Sequence, residues 1–354
     1  MEKIRDLIVY LDDGYNAFPS IVRTKDGGYL AAFRHAPDRR AAFNGLVTHC
    51  DDESVVFVIK SGDGTNWGAP KTIRWLPGCG NQDPCLNVLS DGTIILTTFF
   101  WKFLNQSKRP MLEKVLLGTP LMHDVMGMTT YFAGSYTYIS NDGGDTWAGP
   151  HLINESYAMH GQCAELPDGT VLAPMYGVAE GTEHSQVALF ASTDKGVSWT
   201  PYSYVTGPLG ERRRADEPTL IRTQSGKLFC FIRTADGMYY CHSCDDGLSF
   251  SKPIATDLPA DVPYHALQLP DGRIFLSYGR RVAPYGIRAQ LLDGECGGEI
   301  AAKNETVLRD DGLGGDISYN FAAVLPNGDV LSIYYFHTKD MEQRRHIAAT
   351  IVRV

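Results

Sequence analysis

The strongest constraint in this chain is a turn written four times. Ser140-Asn141-Asp142-Gly143-Gly144-Asp145-Thr146-Trp147 reads Ser-x-Asp-x-Gly-x-Thr-Trp. The pattern returns as Ser192-x-Asp194-x-Gly196-x-x-Trp199 and Ser243-x-Asp245-x-Gly247-x-x-Phe250, and in a one-residue-shorter form as Ser61-x-Asp63-Gly64-x-x-Trp67. Asn, Asp and Gly between apolar runs make a β-turn. The Ser and Asp side chains can cap that turn's own backbone, and the aromatic can fold back as an apolar plug. Four copies of one hairpin signal mark a repeat protein.

A second repeat is offset from the first and consists of an apolar run, a Gly turn and another apolar run. Its six turns are Lys25-Asp26-Gly27-Gly28, Leu89-Ser90-Asp91-Gly92, Leu166-Pro167-Asp168-Gly169, Thr223-Gln224-Ser225-Gly226, Leu269-Pro270-Asp271-Gly272 and Leu325-Pro326-Asn327-Gly328. The Ser-x-Asp turn follows each of the first four. Each unit is therefore strand, Gly turn, strand, loop, strand, Ser-x-Asp turn, strand. Four antiparallel strands per unit, six times over, predict an all-β fold: a six-bladed β-propeller spanning residues 1–354 as one domain. The last unit lacks a fourth strand, and the apolar run Leu7 to Leu11 is expected to supply it, closing the ring and hiding both sheet edges. A long insertion, Trp101 to Ser135, separates the second and third strands of blade 2. It holds a short helical pattern, Met111 to Leu117, and the apolar Met122, Met126 and Met128. It is expected to pack as a cap over the blade, with a substrate wall or a subunit interface as the other options.

Composition narrows the function. The chain has 354 residues, 44% apolar, with 36 glycines, 19 prolines and 18 tyrosines, which suits many short strands joined by tight turns. A net charge of −9 argues against a nucleic-acid groove without excluding a local basic pocket. Of the eight cysteines only Cys241 and Cys244 are close, so reduced thiols are expected. The Leu7 to Leu11 run is too short for a signal-peptide core or a membrane span, so the chain as given reads as soluble, cytoplasmic and without a membrane partner. No metal and no cofactor are implied, because turn capping accounts for the repeated carboxylates and no His/Cys set has ligand spacing.

The Gly turns also fix register. About nine residues before each turn glycine the units present Phe18, Asp83, Gly161, Glu217, Pro263-Tyr264 and Tyr319. Seven or eight residues after it they present Arg34, Phe99 or Phe100, Tyr176, Arg233, Arg280 and Tyr335. Hairpin geometry returns both sets to one mouth of the ring. Glu217, Tyr319, Asp83, Arg34, Arg233 and Arg280 are thus expected together, with Arg280-Arg281 ending a strand at that mouth. Arginines read carboxylates through bidentate forks. Tyr319 beside Glu217 forms a nucleophile and its base, and a neutral nucleophile suits a reacting carbon that already bears a carboxylate. The loop His49-Cys50-Asp51-Asp52-Glu53 offers a general acid, Asp51 first and Asp52 next. Arg212-Arg213-Arg214 reads as a solvated loop, His265 as a polar channel residue, and Trp67, Trp147, Trp199 and Phe250 as blade plugs.

The repeated Ser-x-Asp turns (Asp-boxes), the six-unit pattern and the Glu/Tyr/Arg set resemble the sialidase superfamily over nearly the whole chain. The resemblance implies an Arg triad, a Tyr/Glu nucleophile pair and an Asp acid/base. Glu217 in Ala215-Asp216-Glu217-Pro218, Arg233 ten residues before Ser243, Tyr319 in Asp316-Ile317-Ser318-Tyr319, and Asp51 match these roles. Arg288 in Pro284-Tyr285-Gly286-Ile287-Arg288 looks like the third Arg. One position departs: the Arg-Ile-Pro that opens the first blade in sialidases is here Ala17-Phe18-Pro19. Arg34, on the returning strand, is the candidate replacement. Three functions stay open: an exo-acting glycosidase on sialic acid or another acidic sugar, a propeller hydrolase or lyase on a uronic-acid or rhamnose linkage, and a non-catalytic carbohydrate-binding propeller.

Overall fold

The computed structural model of the chain describes residues 1–45, 48–73, 76–115, 122–178, 184–341 and 343–354. These residues form six antiparallel sheets, each ordered from an inner strand outwards. Blades 1 to 5 open with the inner strands Tyr15–Arg23, Cys79–Val88, the broken pair Tyr157–Met159 and Ala164–Glu165, Asp216–Arg222, and Tyr264–Gln268. Blade 6 runs Ser318–Val324, Val330–Phe336 and His346–Arg353, and its outer strand is Glu2–Tyr10 from the other end of the chain. The closing strand is thus longer than the Leu7 to Leu11 run read from sequence. Its first residues are polar because an outermost strand is wetted on one face, and Thr350 ties to Asp6 across the seam at 2.7 Å. The sequence-predicted six-bladed propeller is the observed fold.

The repeated turns work as their chemistry requires. The Ser140 hydroxyl accepts the Gly144 amide at 2.9 Å and donates to Asp142 at 2.8 Å, while Asp142 accepts the Thr146 amide at 2.9 Å. Gly144 has φ +88°, and a Cβ there would lie 2.7 Å from Leu30 of the neighbouring blade. Glycine is therefore required by backbone conformation and by space. Trp67, Trp147, Trp199 and Phe250 each pack against a buried core cluster, as blade plugs should. Blade 5 carries a degenerate version that the sequence pattern misses: Asp293 accepts the amides of Glu295 and Gly297, both at 2.9 Å.

The blade 2 insertion is mostly sheet rather than a separate cap. The second strand extends as Ile94–Asn105, a short helix follows at Arg109–Val115, and Met122–Val125 turns back onto Met128–Ser140. Residues Leu116 and Leu117 of the sequence-predicted helix lie outside the described residues. The extension builds its own small core from Phe99, Trp101, Phe103 and Phe132, against which Cys50 and Ala158 pack. It thereby buttresses the loop that carries Asp51 and Asp52. The eight cysteines are free of disulfides. Among the described residues no helix is long and apolar enough to cross a membrane.

What positions the site is a defect repeated around the ring. In blades 1, 2, 4 and 6 the inner ladder skips register between Ala17 and Ser20, Gln82 and Cys85, Asp216 and Thr219, and Ser318 and Phe321. Each bulge presents a left-handed residue, Phe18 (φ 54°), Asp83 (42°), Glu217 (41°) and Tyr319 (54°), and in blade 6 the preceding Ser318 (102°) also has positive φ. None is glycine, so each stores strain of about 1–3 kcal/mol that the surrounding ring must hold in place. A bulge re-aims a side chain that a regular strand would lay against its neighbour. Pro19, Pro84 and Pro218 follow three of these residues, where the skipped register requires no ladder amide.

Candidate active site

Two bulges meet across the ring axis. The Tyr319 hydroxyl donates to Glu217 Oε1 at 2.7 Å. Arg233, from the returning strand of Glu217's own blade, donates to Glu217 Oε2 at 2.5 Å and reaches the Tyr319 oxygen at 3.4 Å. Burial alone would raise the Glu217 carboxyl, but Arg233, His160 and the Tyr319 hydroxyl overcome it and hold it at about 2. Burial, then Glu217 and Asp83, push the Tyr319 phenol well above its usual value, with Arg233 and Arg281 pulling the other way. The resting pair is therefore a phenol donating to a carboxylate.

Tyr319 is enclosed by rings and one further cation. Phe18 packs edge-on at 4.6 Å between centroids, His160 edge-on at 4.8 Å, and the Arg281 guanidinium lies 5.3 Å over the phenol ring. Arg281 is itself held by the carbonyls of Ile317 (3.1 Å) and Asp261 (3.0 Å) and reaches the Tyr335 hydroxyl at 3.4 Å. Beside this cluster Asp316 acts as a hub. It accepts from Tyr15 (3.0 Å), Tyr335 (3.0 Å) and Arg345 Nε (2.8 Å), and His49 Nε2 lies 3.1 Å away. Although burial opposes ionisation, His49 and Arg345 keep Asp316 far below the usual carboxylate range.

The structure brings Glu217, Tyr319, Arg233 and Arg281 into one cluster. Asp83 joins it through His160, with Nδ1 to Oδ2 at 3.4 Å. Three other expectations need correction. Arg288 lies elsewhere: its guanidinium bonds the carbonyls of Ile287 and Arg309 and faces Glu305 at 3.8 Å, within blade 5. Arg280 ends its strand on the face of Tyr278, which pairs with Arg288, and so lies against Arg288 rather than the mouth, whereas Arg281 falls just beyond the strand end. Arg34 is 0% exposed behind the Tyr15 ring, and none of its three nitrogens has a hydrogen-bond partner. Burial lowers its pKa, and Tyr15, Asp51, Cys50 and Asp83 face it.

The two acid candidates also separate. Asp51 is 1% exposed and gripped by Arg39 through bonds of 2.9 and 3.2 Å, so both its oxygens are already engaged within the loop. Asp52 is half-buried with Arg39 only at 4.0 Å; burial and then Asp51 raise its pKa. That is the environment of a proton donor. His265 is buried beside the Ala322 backbone, and burial lowers its pKa to about 3. Arg213 and its neighbours form an exposed turn. Among the described residues no group of three or more His, Cys, Asp or Glu could hold a metal.

Sequence reasoning missed His160, Asp316, Arg345 and His49. For His160 a signal existed: it stands nine residues before Gly169, the same count that finds Phe18, Asp83, Glu217 and Tyr319 in their blades. The Asp316 hub draws on Tyr15, His49, Tyr335 and Arg345, segments that no local pattern connects.

Over its whole length the chain is similar to a crystal structure of a protein of unknown function from Dyadobacter fermentans DSM 18053, with 31% identity, 99% of each chain covered and a TM-score of 0.87. The fold is shared by the intramolecular trans-sialidase from Ruminococcus gnavus, with 15% identity, 96% of this chain and 94% of that one covered, and a TM-score of 0.61. It is also shared by an α-L-arabinofuranosidase from Fusarium graminearum, with 10% identity, 99% and 98% covered, and a TM-score of 0.61. These two carry the fold argument alone, a six-bladed propeller. No curated protein matches the chain in sequence. Residues 40–292 match the BNR repeat-like domain, and the chain belongs to that family as a sialidase-like six-bladed propeller.

Proposed function

We propose that this protein is an exo-acting glycoside hydrolase that removes a terminal acidic sugar, sialic acid or a close relative, with retention through a Tyr319 glycosyl intermediate. The observation that carries the reading is the 2.7 Å bond from the Tyr319 hydroxyl to Glu217, with Arg233 on both. Tyr319 Oη attacks the anomeric carbon while its proton passes to Glu217 Oε1. The leaving oxygen takes a proton from the 51–52 loop, Asp52 being the better donor. Water then attacks the glycosyl–tyrosine bond, that loop accepts its proton, and the phenol recovers its own from Glu217.

The proton transfer is uphill. Glu217 is held at about 2 and burial pushes the Tyr319 phenol above its ordinary value, so the gap at rest is at least on the order of 10 kcal/mol, and Arg233 and Arg281 reduce it as the phenolate forms. Barriers for ordinary turnover are larger than this, so the step is affordable when attack and transfer are concerted. Arg233 and Arg281 offset the charge on the phenolic oxygen and attract a substrate carboxylate. In an assay with an aryl α-sialoside, Tyr319→Phe is expected to abolish turnover; undiminished activity removes Tyr319 from the mechanism.

A second reading has its own observation. Ala17 and Phe18 stand where the family's first Arg segment would be, Phe18 packs on Tyr319, and Arg34 is sealed from the pocket. That favours a sugar without the sialic-acid carboxylate geometry, such as a uronic-acid or rhamnose linkage, cleaved by hydrolysis or β-elimination. A glycan-array screen separates the routes: an unsaturated, ultraviolet-absorbing product marks elimination, and its absence with new reducing ends marks hydrolysis.

A further inference from the structure

We propose that His160, ion-paired to Asp83, is the positioning residue of the nucleophile pair: an imidazolium that fixes Glu217 as the carboxylate base and holds the Tyr319 ring in place. This rests on the reading of Tyr319 and Glu217 as the reacting groups.

Blade 3 is the one place among the described residues where an inner strand is interrupted, with Tyr157–Met159 and Ala164–Glu165 pairing separately to Val171–Val178. The residues between them bond to the neighbouring blades instead. The Gly161 amide meets Cys85 Sγ at 3.3 Å, and the Cys163 amide donates to Asn87 at 2.9 Å, both in blade 2. The Gln162 amide donates to Thr219 Oγ1 at 3.1 Å, and Gln162's carbonyl accepts the Leu220 amide at 3.2 Å, both in blade 4. Gly161 has φ +108°, and a Cβ on it would lie 2.2 Å from the Pro218 carbonyl oxygen. The blade 3 backbone is therefore pressed against the bulge that presents Glu217. In the other bulged blades the left-handed residue itself enters the pocket. Here that residue is a side-chain-less glycine, and His160 before it enters instead.

The imidazole is buried, 3.4 Å from Asp83 and edge-on to Tyr319. The ionisable groups around it are Asp83 and Cys85 of blade 2, Glu217 of blade 4, His265 of blade 5 and Tyr319 of blade 6. Glu217 is faced in addition by Arg233 and Tyr176. Burial disfavours the charged ring, but Cys85 and Asp83 outweigh it and hold the pKa well above 6.5. His160 is among the groups that lower the Glu217 carboxyl, and an opposite charge facing a buried carboxylate lowers its proton affinity by about tenfold or more. His160 packs on the Tyr319 ring and pairs with Asp83, so its proposed effect runs through Tyr319 and Glu217.

The test uses the full chain with 15N-labelled histidine and 13C-labelled glutamate. In the native protein at pH 7, His160 is expected to carry protons on both ring nitrogens, and in Asp83→Asn to lose one. In His160→Asn the proton concentration at the Glu217 midpoint should fall by about tenfold, and the acid limb of kcat/KM should move with it. Asp83→Asn keeps the imidazole in place and should shift Glu217 in the same direction, which covers a His160→Asn variant that fails to fold. A neutral His160 in the native protein overturns the proposal. So does an unmoved Glu217 midpoint, including when the rate alone drops, because that is the mark of a merely structural residue. Should the protein hydrolyse no glycoside, the resonances still decide the charge coupling, and only the catalytic reading fails.

Discussion

Replacing Glu217 by Gln tests the electrostatics of the site without altering its shape. Gln keeps an acceptor for the Tyr319 hydroxyl and removes the negative charge that Arg233 approaches to 2.5 Å. The carboxyl is moved from 4.5 in the open chain to about 2 in the fold, which corresponds to about 3 kcal/mol of stability. Because the folded value is the lower one, that stability is complete above pH 4.5 and disappears as the pH falls toward 2. A buried guanidinium left without its partner costs about 3–5 kcal/mol by independent measure, so the two figures agree in size. Urea denaturation at pH 7 should find Glu217→Gln less stable than the native chain by about 3 kcal/mol, with the difference narrowing at pH 3. Equal stability at pH 7, or a gap that stays constant with pH, would refute the claim that Glu217 is an anion held by Arg233.

Further outcomes follow from the same geometry. Asp52→Asn should lose the basic limb of the pH–rate profile and be rescued by substrates with good leaving groups, whereas Asp51→Asn should chiefly loosen the loop that Arg39 ties; the reverse pattern would return the acid role to Asp51. Arg281→Met should raise KM for a carboxylate-bearing glycoside at least tenfold, and Arg288→Met should leave KM unchanged, as steady-state kinetics on the two variants will read. Gly144→Ala should cost about 1–3 kcal/mol in chemical denaturation, from its left-handed backbone and the contact with Leu30; a neutral result would mean that the Ser-x-Asp turn is not a rigid seam between blades 1 and 2. Removing residues 1–10 strips blade 6 of its outer strand, and light scattering should report association through the exposed edge.

The fold was legible because most blades repeat the same physical devices. A glycine turn sets the inner hairpin, and a Ser-x-Asp turn sets the outer one. A bulge at fixed distance from the first turn then aims a side chain inward, so counting nine residues back from Gly27, Gly92, Gly226 and Gly328 finds Phe18, Asp83, Glu217 and Tyr319. The count fails where the device is missing. Blade 5 has no bulge in its inner ladder, nine residues before Gly272 is Pro263, and the cation from that blade is Arg281 at the far end of the hairpin. Arg280 is the last residue of its strand and Arg281 the first beyond it, and a sequence pattern does not fix where a strand ends to one residue. Arg288 was misleading because its motif has the right composition, but its strand turns the guanidinium toward Glu305. The Asp316 hub was invisible because its partners are up to 301 residues away and meet only when the ring closes.

The central claim is that Tyr319 bonds to the sugar. It is tested most directly by incubating the protein with an α-sialosyl fluoride bearing a second fluorine beside the anomeric carbon, which destabilises the oxocarbenium-like transition state and slows release of the intermediate. Mass spectrometry of the digested protein should then find the sugar's mass added to the peptide that contains Tyr319, and none on Tyr319→Phe. A label on any other side chain, or turnover without Tyr319 ever becoming labelled, would contradict the account.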